Sequence, residues 1–187
     1  MVGRRSSRGS CSLLSVLIAA LIWPDAAISN VSEDDVKLVL LYKIARFVTW
    51  PELDSRGDAV FRLCVAGEET FEIARSRLAD RQIRDRSIEL VRANRVSDEL
   101  ACDVVYIADS DRDRVADLLS HFAARPVLTV SDVPEFARMG GIVGLSTENK
   151  RVQMNINIAA YERAGLEISS QLLELAVLVD GESVVSR

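Results

Sequence analysis

Residues 60–78 read VFRLCVAGEETFEIARSRL. The first seven form a short, apolar, β-rich run of the kind that fills a buried strand, and Gly67 closes it. Glu68 and Glu69 then place two carboxylates where the first turn of a helix favours negative charge. Phe71, Ile73, Ala74 and Leu78 follow as the apolar face of that helix. The alternation continues downstream. Asp103-Val104-Val105-Tyr106-Ile107 reads as a buried strand, and Asp109-Ser110-Asp111 as the cap of a helix carrying Val115, Leu118, Leu119 and Phe122. Residues 126–130 read as a further strand. Strands that alternate with helices predict an α/β fold, with a largely parallel sheet and helices on both faces.

Upstream, Ser32 caps the acidic opening Glu33-Asp34-Asp35 of a helix, and Val36, Leu40, Leu41, Ile44, Phe47 and Val48 supply its apolar spacing. Pro51 forces Trp50 out of the helical region. Residues 84–92 alternate as a more exposed strand. Downstream, residues 133–138 read as a helical turn, and Gly140-Gly141 leads into a strand at 142–145. Glu148-Asn149-Lys150 turns the chain into a returning strand at 151–156. This predicts an antiparallel hairpin near the C-terminal end, at the edge of the sheet. Ile168, Leu172, Leu175, Ala176 and Val179 stand at helical spacing and predict one last helix.

Composition narrows the function. The chain has 187 residues, 49% hydrophobic and 27% charged, enough apolar material for a core and too much for disorder. A net charge of −5 gives no cationic surplus for nucleic acid. His121 is the sole histidine of the chain. A surface or half-buried structural role near a helix end suits it better than catalysis. Gly140-Gly141-Ile142-Val143-Gly144 precedes a strand instead of opening a helix, so it reads as a turn and not as a dinucleotide loop. In Asp109-Ser110-Asp111-Arg112-Asp113, Arg114 and Ser120 replace the glycine and glutamate of a calcium loop. No metal, cofactor or catalytic set is expected, and the chain is read as a non-enzyme.

The N-terminus reads as an export signal. Arg4, Arg5 and Arg8 precede an apolar run at 13–23, Pro24 ends it, and Ala27-Ile28-Ser29 offers a cleavage site. The expected organisation is a signal peptide at 1–29 and an α/β domain at 30–187; a membrane anchor is the alternative. Cleavage would take Cys11 with it and leave Cys64 and Cys102 in an oxidising compartment, where one disulfide is expected. Two buried free thiols are the alternative.

The chain resembles the YfiR family of bacterial periplasmic regulators. The matching stretches are Leu41-Tyr42 through Phe47 to Trp50-Pro51, Phe61-Arg62-Leu63-Cys64-Val65-Ala66-Gly67 and Cys102-Asp103-Val104-Val105-Tyr106-Ile107. After these come Pro126-Val127-Leu128-Thr129-Val130-Ser131-Asp132, Gly140-Gly141-Ile142, Arg151-Val152-Gln153-Met154-Asn155-Ile156-Asn157 and residues 164–176. Met154 stands where an aromatic is more usual, and a single cysteine pair is present where some members have two. The resemblance implies a regulator that binds the periplasmic sensor domain of an inner-membrane diguanylate cyclase and keeps the enzyme off. It also implies an OmpA-like outer-membrane lipoprotein as a second partner, homodimers, and control of cyclic di-GMP and biofilm formation. A periplasmic small-molecule-binding module that feeds a sensor kinase or transporter is the alternative.

Binding energy concentrates in aromatic and arginine anchors. The candidate contacts are therefore Phe47 and Trp50 at the end of the first helix, for which core packing is the alternative, with Arg151, Asn157, Tyr161 and Gln171 from the C-terminal segment. The last helix is expected to hold the latter rigid. Leu166, Leu172 and Leu175 are expected in the core or at a dimer contact.

Overall fold

The computed structural model describes residues 32–51, 53, 57, 60–93, 101–123, 125–149 and 151–180. The expected signal peptide at 1–29, with Cys11, lies outside them. The Ser32 hydroxyl accepts the Asp35 amide at 3.1 Å and the Asp35 carboxylate accepts the Ser32 amide at 3.1 Å, a reciprocal cap that starts α1 (Glu33–Arg46). Its buried face is Lys37, Leu38, Leu41, Ile44 and Ala45. The single apolar stripe read from the sequence is corrected here: Val36 and Phe47 are exposed, and Val48 belongs to a strand, β1 (Val48–Thr49).

β2 (Val60–Ala66) follows and runs through Gly67 into α2 (Glu68–Leu78). Gly67 sits at φ 120°, and a Cβ there would fall 2.8 Å from that of Ala108, so conformation and space both require glycine. β3 (Gln82–Ile83) turns back into β4 (Arg86–Arg92), and β5 (Val104–Ile107) comes next. A 3-10 segment, Asp109–Arg114, precedes α3 (Val115–Phe122), where the sequence predicted one capped helix. β6 (Leu128–Ser131), β7 (Val143–Glu148) and β8 (Arg151–Asn157) complete the expected strands.

The chain then departs from the expected last helix. It forms α4 (Ile158–Arg163), β9 (Glu167–Ile168), the four-residue α5 (Ser170–Leu173) and β10 (Val177–Val179). Ser169 caps α5, and Val177-Leu178-Val179 pairs in parallel with Asn155–Asn157 of β8. Backbone pairing with an open sheet edge satisfies these peptide groups, and β-branched valines suit it.

The main sheet has the order β10-β8-β7-β6-β5-β2-β4-β3, and β1 pairs separately with β9. Among the described residues, the antiparallel pairs of the main sheet are β3–β4 and β7–β8, and its other pairs are parallel. The expected hairpin is present as β7–β8, but β10 covers its outer side, so it is not the edge.

Alternate side chains of the strands feed two cores. Leu63, Val65, Val104, Leu128 and Val130 pack with Leu38 and Leu41 of α1 and Ala74 and Leu78 of α2. Cys64, Ala66, Val105 and Ile107 pack with Val115, Leu118 and Phe122 of α3 and with Phe136. Helices therefore cover both faces. Cys64 and Cys102 are joined by a disulfide with Cα atoms 5.8 Å apart, staples β2 to the start of β5, and both are buried. All described residues lie in one compact unit, Val31–Arg187.

Candidate interaction site

Trp50, a candidate contact with core packing as the alternative, is 1% exposed and takes the alternative. Its ring meets Phe61 edge-on at 5.2 Å between centroids, and its Nε1 donates to the Asp103 carbonyl oxygen at 3.1 Å. A buried indole needs such an acceptor. Asn157 is 0% exposed. Its Nδ2 donates to the Ala137 carbonyl oxygen at 2.8 Å, and its Oδ1 accepts the Ala160 amide at 3.0 Å as the cap of α4. Both expectations are corrected: these side chains hold the interior and do not reach a surface.

The remaining four lie at or near the surface. Phe47 is exposed at the end of α1, and its carbonyl oxygen accepts the Ser169 amide at 3.0 Å. That bond and the pairing of Val48 with Ile168 bring Phe47 beside the segment holding Gln171, which is exposed. Arg151 is exposed at the start of β8, opposite Glu148. Tyr161 is half-buried against the α1 core. The rigid backing is supplied by β1–β9 and the short α5, not by a long helix. Leu166 and Leu172 are in the core as expected, whereas Leu175 is 80% exposed.

Sequence reading missed the second face of α1. Val36, Val39, Leu40 and Lys43 form an outward stripe at i, i+3, i+4 and i+7. With α2 it lines a groove of about 460 Å³ that also contains Asp35, Arg77 and Arg81. Beyond Leu40 the surface opens into a depression of about 650 Å³ lined by residues that include Arg151, Val152, Met154, Leu172 and Leu175. The apolar character of residues 36–41 was visible; that it serves two faces was not.

A separate cavity of about 700 Å³ lies off the carboxyl ends of β5 and β6, where open α/β sheets place ligands. Asp132, directly after β6, accepts the Asp109 amide at 2.8 Å and the Lys37 ammonium at 2.7 Å. Lys37 also pairs with Glu33 at 2.7 Å, and Glu33 accepts the Thr147 hydroxyl at 2.7 Å. Burial works against the charge of Lys37, but its bonds to Asp132 and Glu33 outweigh this and hold its pKa above the ordinary lysine value. The Lys37 and Thr147 bonds lower the pKa of Glu33. Burial, reinforced by the charge of Asp132, raises that of Tyr106. The arrangement binds α1 to β6 and β7 and leaves a wall of hydroxyl and amide groups, Ser146, Gln153 and Asn155.

Among the described residues no group of three or more His, Cys, Asp and Glu side chains is arranged to hold a metal ion. No described helix is long and apolar enough to cross a membrane. The features that fold and site share are a stapled α/β domain, an apolar helix face turned outward, and polar groups engaged in structure. A model of the YfiR/HmsC-like family matches residues 34–177, from the first turn of α1 to the start of β10, and the chain belongs to that family.

Proposed function

We propose that the protein is an exported periplasmic regulator that restrains an inner-membrane diguanylate cyclase by binding its periplasmic sensor domain. The observation that carries the reading is the family match over residues 34–177. The architecture is compatible with it: a domain acts on a partner without chemistry by binding one of the partner's states more tightly than the other. An OmpA-like outer-membrane lipoprotein that sequesters the domain would release the cyclase, and the domain would act as a homodimer. The test is deletion of the gene and complementation with the full chain, with cyclic di-GMP and biofilm as readouts. Deletion is expected to raise both and the wild-type chain to restore them; unchanged cyclic di-GMP on deletion overturns the reading. Intact mass of the periplasmic protein is expected to show loss of residues 1–29.

The cavity off β5 and β6, about 700 Å³ in volume, favours a second reading, a small-molecule-binding module. Thermal stabilisation of the purified domain by polar metabolites, with cyclic di-GMP unaffected by deletion, would select it.

A further inference from the structure

A surface helix ordinarily turns polar residues outward. On α1, Val36 and Val39 are 43% and 44% exposed. They form, with Leu40, the floor of the groove against α2. The rim is cationic: Lys43, Arg77 and Arg81 stand there against one carboxylate, Asp35. Asp35 is already engaged by Arg77 at 2.8 Å, while Arg81 lies over the Tyr42 ring at 5.9 Å. This local excess of positive charge sits on a chain of net charge −5. Past Leu40 the apolar floor continues to Leu172 and Leu175.

We propose that this groove docks an amphipathic, acidic segment of a partner protein. Its apolar side chains would lie on Val36, Val39 and Leu40, and its carboxylates would face Lys43 and Arg81. This is the helix-in-groove mode of recognition, with charge setting the register. The proposal rests on the regulatory reading and names the surface by which the domain holds its partner. Charge complementarity selects this occupant over a second copy, because a two-fold contact would set the cationic rim against itself, and Asp35, the one carboxylate lining the groove, is already paired with Arg77. Concavity and the carboxylate in the groove disfavour a flat anionic bilayer.

The experiment uses the full chain in the deletion strain. The variants are Val39→Asp, the double reversal Lys43→Glu/Arg81→Glu, and the control Asp117→Lys on the exposed side of α3. All are exposed positions, and periplasmic level and thermal midpoint establish that each variant folds. Wild type and control are expected to restore low cyclic di-GMP, and both groove variants to fail. In parallel, purified protein is titrated with a synthetic helical peptide of about eighteen residues, leucine at i, i+3, i+4 and i+7 and glutamate on both flanks. Binding is expected to weaken roughly tenfold with either groove variant, and again on raising salt from about 0.05 to 0.5 M. The proposal is overturned if both folded groove variants repress like wild type, or if a lysine-flanked peptide binds as well as the acidic one. It is equally overturned if Val39→Asp converts a dimer to monomer while the peptide does not bind, or if phosphatidylglycerol vesicles bind in the peptide's place. Failure of wild type to restore repression removes the regulatory reading instead, and the peptide titration then decides the groove.

Discussion

The Trp50 indole and the Asp103 carbonyl oxygen, 53 residues apart in sequence, meet at 3.1 Å. Asp103 is a junction. Its Oδ2 accepts the Arg62 amide at 2.8 Å, its own amide donates to the Arg62 carbonyl at 2.9 Å, and its carbonyl also accepts the Leu128 amide at 2.9 Å. One residue thus ties the exit of α1 to β2, β5 and β6.

Trp50→Phe keeps most of the contact with Phe61 and leaves the Asp103 carbonyl its bond from Leu128. The expected cost is about 1–2 kcal/mol. Trp50→Ala empties the site and is expected to cost about 3–5 kcal/mol. Urea denaturation of the two variants checks the order.

The Cys64–Cys102 bridge spans 38 residues. In the chain-entropy model its loss costs about 4 kcal/mol. The double Cys→Ala variant is expected to unfold at correspondingly lower denaturant. Thiol titration of the oxidised mature chain is expected to find no free thiol even when the chain is denatured.

Lys37→Met removes the ammonium from two carboxylates and leaves Asp132, whose side chain is 8% exposed, as a buried carboxylate held by neutral donors such as the Asp109 amide. The expected loss is about 3 kcal/mol. Asp132→Asn should cost less, since Lys37 keeps Glu33 and the Asp109 amide keeps an acceptor. Equal losses would contradict this partition.

Neighbouring acids on α1 respond oppositely to pH. The Arg77 bond, then the Ser32 cap, lowers the pKa of Asp35, so its stabilising effect is in place above the ordinary aspartate value of about 3.9 and is lost as pH falls through the lowered folded-state value. Burial, against the pull of Lys37, raises that of Asp34, so its ionisation weakens the fold at neutral pH. Asp35→Asn is expected to be less stable than wild type at pH 7, and Asp34→Asn more stable. The Asp34 difference should fade as the pH falls through its raised folded-state value to the ordinary aspartate value of about 3.9, and the Asp35 difference only as the pH falls further, through its lowered folded-state value, measured by thermal unfolding across the series.

A Cβ on Gly141 would lie 2.1 Å from a ring carbon of Phe136. Gly141→Ala is expected to cost about 1–3 kcal/mol through overpacking. Combined with Phe136→Leu it should cost less than the sum of the two single changes, and a double-mutant cycle by denaturation measures the difference.

The strands were legible because buried parallel strands carry near-continuous apolar runs, as in Val104-Val105-Tyr106-Ile107, whichever neighbour they find. The C-terminal segment was misread for the opposite reason. Ile168, Leu172, Leu175, Ala176 and Val179 keep helical spacing, yet what decides their structure is β8, whose outer edge takes up Val177–Val179. Local periodicity carries no record of an unfilled edge. Trp50 and Asn157 were misplaced by residue type: an aromatic beside proline and a polar residue after a strand look available until the Asp103 and Ala137 carbonyls are brought to them. Phe47 and Gln171 were placed together only through β1–β9, a pairing of two residues from each strand. The groove on α1 depends on Arg77 and Arg81, which reach it only through helix packing.

The staple between β2 and β5 lies well inside the sheet, whereas the outer strands β3 and β10 are two and three residues long. Amide hydrogen exchange should therefore be graded from the flanks inward, with Val177–Val179 and Gln82–Ile83 exchanging first and Cys64–Ala66 last. Opening at β10 would leave the connection through α4, β9 and α5 held by the β1–β9 pairing and by Leu166 and Leu172 in the core, and the stapled centre closed. That gives the domain a yielding margin beside the apolar depression and an unyielding axis behind it.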